Sequence, residues 1–463
     1  MKIKAIEIAN WLRADGQHMS GVTLSGTSID SRTVKEGDLF IPFRGEHVNG
    51  HQYVESAIKS GAAASFWMKD EPNPPKDIPL IFVDDPEIAL QETARAYRDT
   101  LQCTVIGITG SNGKTSTKDL IASALSPYFN IRKTEGNYNN ELGLPLTILS
   151  LDEQTEYAVL EMGMSGFGEI SFLSKLAKPD YVVITNIGEA HMLDLGSREG
   201  IAKAKFEIVD GLAKGGKLYY DGDEPLLRTL TLTAQHADFQ AFSFGYAANN
   251  DISLKSVDSN DNGSSFTTSG LESAQFTIPV YGAHQVKNTL AAVLIAKEAD
   301  LSTTDIAEAL KSAELTDMRM QPIQVKNGAL FINDAYNAAP TSVKAALSFI
   351  KKTNLRPKKW LVLGDMLELG AEEQLYHESL AEQIVDMDLE GILLYGPRMK
   401  WLHDELQKHQ KRTRLVWSKD DYQPITDVIQ AETDTDSVIL VKGSRGMALE
   451  NIIQAITCKD DVK

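Results

Sequence analysis

GITGSNGKTST, running from Gly107 to Thr117, is the stretch on which the reading of the fold turns. Before it and within its start, Val105, Ile106 and Ile108 make a short apolar run of the buried-strand type. After it, Leu120, Ile121, Ala124 and Leu125 recur at helical spacing. Strand, glycine-rich turn and helix in that order are the context a phosphate cradle requires. Glycines let consecutive N–H groups turn toward an anion, and the first turn of the helix adds partial positive charge. Thr109, Gly110, Ser111, Asn112, Gly113, Lys114 and Thr115 are therefore assigned to ATP, with Lys114 on the β- and γ-phosphates and Thr115 helping to hold Mg²⁺. The loop departs from the general phosphate loop at one point, where Ile108 stands in place of a glycine. A phosphate loop alone leaves kinase, ATPase motor and ligase open.

Working outward, further short apolar runs at Tyr157–Leu160 and Tyr181–Ile184 alternate with helical stretches, the pattern of a parallel sheet covered on both faces. The last third repeats it at Trp360–Leu363, Gly391–Tyr395 and Val438–Val441. Toward the N-terminus, GDLFIPF and PLIFVDD are β-like, and the run after Pro86 places Ile88, Ala89, Ala96 and Tyr97 in an amphipathic helix. The predicted architecture is α/β in three domains. A small α/β domain occupies residues 1–98, a central P-loop-type, mostly parallel sheet 99–314, and a Rossmann-like α/β domain 315–463. The polar stretch Asp251–Gly270 reads as loops or an irregular β excursion.

At 463 residues the chain is too long for one ordinary core, and 42% hydrophobic with 24% charged residues is a globular composition. No apolar run approaches the roughly 20 residues that span a bilayer, so no membrane insertion is expected. The N-terminal MKIKAIEIANWLRADG alternates charge with apolar residues, unlike a signal peptide. Cys103 and Cys458 stand far apart in no metal-binding spacing, which fits a reduced, cytoplasmic protein. A net charge of −18 argues against a nucleic-acid partner while leaving a locally basic pocket for acidic small substrates.

Ligands of open parallel sheets collect at the carboxyl ends of the strands. Glu161 follows the apolar run Ala158–Leu160, and His191 follows the strand at Tyr181–Ile184; both residue types bind divalent cations, although Mg²⁺ prefers oxygen. Lys205 lies in the helix-like EGIAKAKFEI. Taken singly, His191 is also readable as a loop histidine bonded to backbone, Lys205 as a solvated helix lysine, and Asp334 as a turn or cap residue.

Together these segments resemble the Mur ligase family, in the branch that adds D-alanyl-D-alanine, and the resemblance covers nearly the whole chain. That family's phosphate loop also lacks the first glycine. TEGNYNNELGLPLT (134–147) is similar to its UDP-sugar segment, which implies contacts from Thr134, Asn137 and Asn140. Glu161 and His191 fall at its metal positions, and Lys205 falls where the family carries a carbamylated lysine. YGAHQVKN (281–288) resembles its nucleotide stretch, with Gln285 replacing an asparagine, and implies His284 and Asn288 near the adenine. Arg319 in DMRMQ matches an arginine that reaches the ATP phosphates, while Asp334 and Asn337 match a signature in NDAYNAAPTS (333–342). LGDMLELG (363–370) and VKGSRGMALE (441–450) look like C-terminal signatures of the same branch. SIDSRTVKEGDLFIPFRGEHVNGHQYVESAIKSGAAA (28–64) resembles the UDP-binding domain, implies Ser31 and Arg32 beside the uridine diphosphate, and disfavours folylpolyglutamate synthetase, which lacks this module.

What the resemblance implies is ATP-dependent ligation through an acyl phosphate, with UDP-N-acetylmuramoyl-tripeptide and D-alanyl-D-alanine as substrates and Mg²⁺ as cofactor. Lys114, Lys205, His191 and Arg319 would serve catalysis, and Thr115, Glu161, His191 and carbamylated Lys205 would serve the metal. The alternatives are a sister ligase that adds a single amino acid, or a P-loop kinase or ATPase. A monomer is the default expectation.

Overall fold

The structure is a computed structural model that describes residues 1–45, 48–189, 191–234, 238–260, 263–270, 273–409 and 413–458. The side chain of Cys458 lies outside the described residues, whereas Cys103 is a buried free thiol.

Besides a two-stranded antiparallel pair, Ile3–Lys4 with Thr23–Leu24, three larger sheets follow one another along the chain. The first has five strands, in spatial order Gly16–Gln17, Leu80–Val83, Ala64–Met68, Asp38–Phe40 and Gly26–Ser28; all pairs are parallel except the first. Helix Pro86–Arg98 closes this unit. Its start is fixed by Asp85, whose carboxylate accepts from the N–H groups of Glu87 and Ile88, and by proline at the first helical position.

The middle sheet has nine strands. Its parallel heart places Thr104–Thr109 between Tyr157–Glu161 and Tyr181–Ile184, with Ile131–Lys133 beyond the former and Lys217–Asp221 and Gln240–Gly245 beyond the latter. Both faces of the central strand are buried, which is why it reads as a continuous apolar run. Helix Lys114–Leu125 covers one face, burying Leu120, Ile121, Ala124 and Leu125 completely against Ile106, Val183 and helix Ala283–Glu298. Each of those leucines and isoleucines contributes about 1.5–3 kcal/mol of burial. The other face forms one core with the N-terminal unit, Leu160 and Val182 sharing a cluster with Ile8, Leu24 and Phe66. The Tyr97 hydroxyl donates to Leu151 O at 2.8 Å and Arg98 Nε to Ala177 O at 2.8 Å, tying the helix before the middle sheet down onto it.

The polar stretch near residues 251–270 is more regular than loops. Ile252–Asn260 and Gly263–Gly270 form an antiparallel pair, residues 261–262 between them lying outside the described residues, and Gln275–Ile278 completes the edge of the middle sheet. Hydroxyl pairs across the strands, Ser253 with Ser269, Ser256 with Thr267 and Ser265 with Thr277, account for the polar composition. Leu254, Phe266, Phe276 and Ile278 supply the buried face.

The last sheet has six strands, in order Gln321–Gln324, Leu330–Asn333, Ser437–Lys442, Lys358–Gly364, Gly391–Tyr395 and Arg414–Ser418, parallel throughout apart from the first pair. Apolar clusters fill both of its faces. The crossing into it is held at Thr316, whose N–H and hydroxyl both donate to Asp119 Oδ2, at 2.8 and 2.7 Å. Asp119 is fully buried on the helix that begins at Lys114. Two and four residues on, Met318 and Met320 adopt left-handed backbone, φ 63° and 55°, on either side of Arg319. Among the described residues no helix is long and apolar enough to cross a membrane.

Candidate functional site

The glycine-rich turn lies between the strand Thr104–Thr109 and the helix Lys114–Leu125 and is braced by the neighbouring strand end. Asn112 N donates to Asn186 Oδ1 at 2.9 Å, the Thr185 hydroxyl donates to Asn112 O at 2.5 Å, and Ser111 N donates to Asn186 O at 3.1 Å. Gly113 caps the helix at φ 81°, and a Cβ there would lie 2.7 Å from Asn288 Nδ2. Only glycine satisfies both the backbone and that close approach. At Gly110 a Cβ would meet the Thr185 hydroxyl at 1.8 Å.

Beyond the turn, the residues predicted for phosphate and metal meet. Lys114 Nζ donates to Gly110 O at 2.8 Å, folding over the loop, and burial lowers its pKa against the opposing pull of Glu161. The Thr115 hydroxyl donates to Glu161 Oε2 at 2.9 Å, and Arg319 Nη2 approaches the same hydroxyl at 3.4 Å. The Arg319 guanidinium lies over the Tyr336 ring, 4.1 Å from its centroid. On the far wall stand Asp334, Asn337, His284, Gln285 and Asn288, together lining a cavity of about 450 Å³ with Lys114, Thr115 and Glu161. Burial lowers the pKa of His284 to about 4, so its ring is neutral. Three atoms of this lining, Ser111 Oγ, Gln285 Oε1 and Arg319 Nε, are buried without a hydrogen-bond partner. Such orphaned polar groups carry a desolvation penalty that a bound polyanion with a polar base would relieve.

A second cavity, of about 670 Å³, adjoins the first. Lys114 and Asn139 line both. It runs past Glu141, Met164 and Phe167 to Glu87 and Gln91 on the helix of the N-terminal unit, and His191 lies on its wall. His191 has left-handed backbone, φ 65°, and burial, Lys205 and Lys114 all lower its pKa. Lys205 is almost fully buried, has no hydrogen-bond partner among the described residues, and has another cation, Lys114, acting on it; its pKa falls well below the ordinary value, mainly by burial.

The four metal expectations therefore separate. Thr115 and Glu161 are bonded to one another in the nucleotide cavity, whereas His191 lines the second cavity with Lys114, and Lys205, which lines neither, acts on His191 through its charge. Among the described residues no three acidic, histidine or cysteine side chains form a ready-made metal cluster. Mg²⁺ needs only one or two protein oxygens when phosphates and waters complete its shell, so the Thr115–Glu161 pair fits that ion.

For the UDP-sugar positions the structure gives a mixed outcome. Thr134 is fully buried: its hydroxyl accepts from Glu161 N at 2.9 Å and its carbonyl from Lys118 Nζ at 2.8 Å, so it supports Glu161 and has no surface for a substrate. Asn140 accepts from Gly143 N at 2.9 Å and lines the larger cavity; Asn137 is exposed in a turn. Between them Asn139, which the sequence reading passed over, donates to Glu161 Oε1 at 2.8 Å. The clue was the three asparagines of NYNN, which local pattern alone does not rank. Ser31 and Arg32 follow the strand Gly26–Ser28 at its carboxyl end; Arg32 is exposed and pairs with Asp30 at 2.6 Å. The second omission is Lys442, whose ammonium pairs with Asp334 Oδ2 at 2.6 Å and also donates to Asn337 O at 3.1 Å.

A phosphate-loop sheet flanked by two smaller α/β units, with a nucleotide-sized cavity opening into a longer cleft, defines a nucleotide-dependent enzyme of the three-domain kind. The chain matches the Mur ligase family catalytic domain over residues 23–98, the Mur ligase middle domain over 108–296 and the Mur ligase glutamate ligase domain over 318–445. It is 44% identical to a UDP-N-acetylmuramoyl-tripeptide–D-alanyl-D-alanine ligase of Bacillus subtilis over 93% of each chain. It also superposes on MurF of Acinetobacter baumannii with TM-score 0.87 at 27% identity over 99% of both chains. MurF ligase of Thermotoga maritima, solved with ADP, gives TM-score 0.82 at 26% identity over 94% of this chain and 98% of that one. The chain belongs to the Mur ligase family.

Proposed function

We infer that the chain joins D-alanyl-D-alanine to the terminal carboxylate of UDP-N-acetylmuramoyl-tripeptide at the expense of ATP, giving the pentapeptide precursor of peptidoglycan, ADP and phosphate. The observation that carries this reading is the shared wall: Lys114 and Asn139 line both a nucleotide-sized cavity and a longer cleft reaching the N-terminal unit. A phosphoryl donor and an extended acidic acceptor are thereby brought to one lysine. The relative at 44% identity, which carries this activity in its name, points the same way.

In the reaction, a carboxylate oxygen of the tripeptide attacks the γ-phosphorus and the bond to the β–γ bridging oxygen breaks, leaving ADP and an acyl phosphate. The amine of the dipeptide attacks the acyl carbon, the C–O bond to phosphate breaks from the tetrahedral intermediate, and the nitrogen loses its proton. Lys114, Arg319 and the N–H groups of Gly113, Lys114 and Thr115 offset the charge gathering on the phosphoryl oxygens. Thr115 and Glu161 would hold Mg²⁺, which supplies further charge neutralisation there. Asn139 orients Glu161, and Thr134 fixes its backbone.

Lys205 takes its role from its burial. A buried ammonium beside a second cation loses its proton readily, and a neutral amine can add CO₂. The resulting carbamate would convert repulsion from Lys114 into attraction. His191 stands on the same side of the cleft. Ser31 and Arg32 are proposed for the uridine diphosphate, and the boundaries near residues 98 and 315 for the domains. Buried Cys103 as a free thiol fits the cytoplasm.

A phosphate-release assay comparing D-alanyl-D-alanine with single amino acids, on UDP-N-acetylmuramoyl di- and tripeptides, tests the assignment. Release confined to dipeptide plus tripeptide is expected. Release without any amine would point to an ATPase, and release with a single amino acid to a sister ligase.

A further inference from the structure

Two adjacent charged residues of the helix Lys114–Leu125 are sealed in the interior: Lys118 is 2% exposed and Asp119 not at all. Neither lines the nucleotide cavity or the cleft, so neither reaches a substrate directly. Burying such a pair adds little stability over apolar residues of the same volume. Its use lies in what each member grips. Residues three and four apart on a helix share a face, which places Lys118 and Asp119 one turn along from Thr115 and on its side.

From there the two diverge. Lys118 Nζ donates to Thr134 O at 2.8 Å, and the Thr134 hydroxyl accepts from Glu161 N at 2.9 Å, so one buried threonine links the ammonium to the backbone of the metal carboxylate. Asp119 Oδ2 accepts from both the N–H and the hydroxyl of Thr316, three residues before Arg319. In between, Met318 O accepts from Tyr336 N at 3.3 Å, and the Tyr336 ring lies against the guanidinium. Both routes meet again at Thr115, whose hydroxyl donates to Glu161 Oε2 at 2.9 Å and is approached by Arg319 Nη2 at 3.4 Å. Lys118 Nζ stands 3.6 Å from Asp119 Oδ1, and Lys133 Nζ pairs with that same oxygen at 2.6 Å, so the buried charge is compensated.

We propose that Lys118 and Asp119 are twin positioning residues for phosphoryl transfer: Lys118 sets Glu161 through Thr134, on the metal side, and Asp119 sets Arg319 through Thr316, on the phosphate side. The inference rests on the ligase reading above. Glu161 and Arg319 come from segments distant in the chain, yet both are referenced to the one helix that carries Lys114 and Thr115. Hydrogen bonds to an ammonium or a carboxylate are roughly twice as strong as neutral ones, which suits them to holding such a reference.

The test takes two readings on the whole chain. One is phosphate release with ATP, Mg²⁺, UDP-N-acetylmuramoyl-tripeptide and D-alanyl-D-alanine; the other, with no amine present, is binding of Mn²⁺ beside a non-hydrolysable ATP analogue, followed by electron paramagnetic resonance. Asp119→Asn lowers kcat about tenfold, leaves Mn²⁺ affinity unmoved, and costs nothing further in an Arg319→Ala background. Lys118→Met weakens Mn²⁺ binding about tenfold. Thr316→Val and Thr134→Val, which remove one hydrogen bond from each route and strand no charge, take their place if either variant does not fold. An unchanged kcat in Asp119→Asn, a loss that adds in full to that of Arg319→Ala, or an Mn²⁺ affinity untouched by Lys118→Met overturns the inference. So does a parallel shift of both readings in both variants, which would mean a general loosening of the helix. If the wild-type enzyme does not use the dipeptide, the ligase reading falls by itself, and the Mn²⁺ comparison still decides the inference.

Discussion

Lys442 and Asp334 form an ion pair at 2.6 Å in which both side chains are nearly excluded from solvent, 3% and 9% exposed. The pair joins the ends of two neighbouring strands beside the nucleotide cavity, and Met320 N adds a hydrogen bond to Asp334 Oδ1 at 3.2 Å. Removing one partner strands a charge in a dry site. Lys442→Met should cost about 3–5 kcal/mol of stability. Denaturant unfolding followed by tryptophan fluorescence measures it, and a loss under 1 kcal/mol would contradict the pairing.

Lys114 folds over the glycine turn and lines both cavities. Lys114→Ala should lower kcat by about 10²–10³, the size of effect seen when one transition-state donor is lost. UDP-substrate affinity, measured by calorimetry in the folded variant, should change little. A large loss of that affinity would show that the lysine binds the acceptor as much as the phosphoryl group.

Lys205→Ala should be nearly inactive and regain turnover when short carboxylates such as formate or acetate are added, because they restore an anionic oxygen to the buried space. Full activity in the untreated variant would remove any role for a carbamate.

His284 carries a sign that can be checked by pH. Burial lowers its pKa to about 4 in the folded chain, against about 6.5 for an ordinary histidine. Between those values the unfolded chain binds the proton and the folded one does not, so stability falls as pH drops from about 6.5 toward 4. Melting curves across that window should show a shallower decline for His284→Gln, which has no proton to gain.

How much of this was legible in the sequence follows from distance along the chain. The phosphate loop could be read because strand, glycines, Lys114, Thr115 and helix are contiguous, and its structural neighbours obey the same local grammar. Asp334 and Lys442 are 108 residues apart, and no local pattern announces that they pair. Thr134 and Asn139 show a finer limit: within one 14-residue segment the side chain that faces Glu161 from the cleft and the one sealed behind it differ only in how the turn runs. The antiparallel pair Ile252–Asn260 and Gly263–Gly270 was hidden by its own chemistry, since serine and threonine pairs satisfy its strands without the apolar alternation that usually marks them.

The joint around Arg319 has one more consequence. Asp119 grips Thr316, while two methionines in left-handed backbone flank the arginine, so the passage between the middle and last sheets behaves as a stiff knuckle and not as slack tether. Any swing of the C-terminal lobe must carry the guanidinium with it past Thr115. Lobe position and phosphate-side charge are thus geared together by a single short peptide.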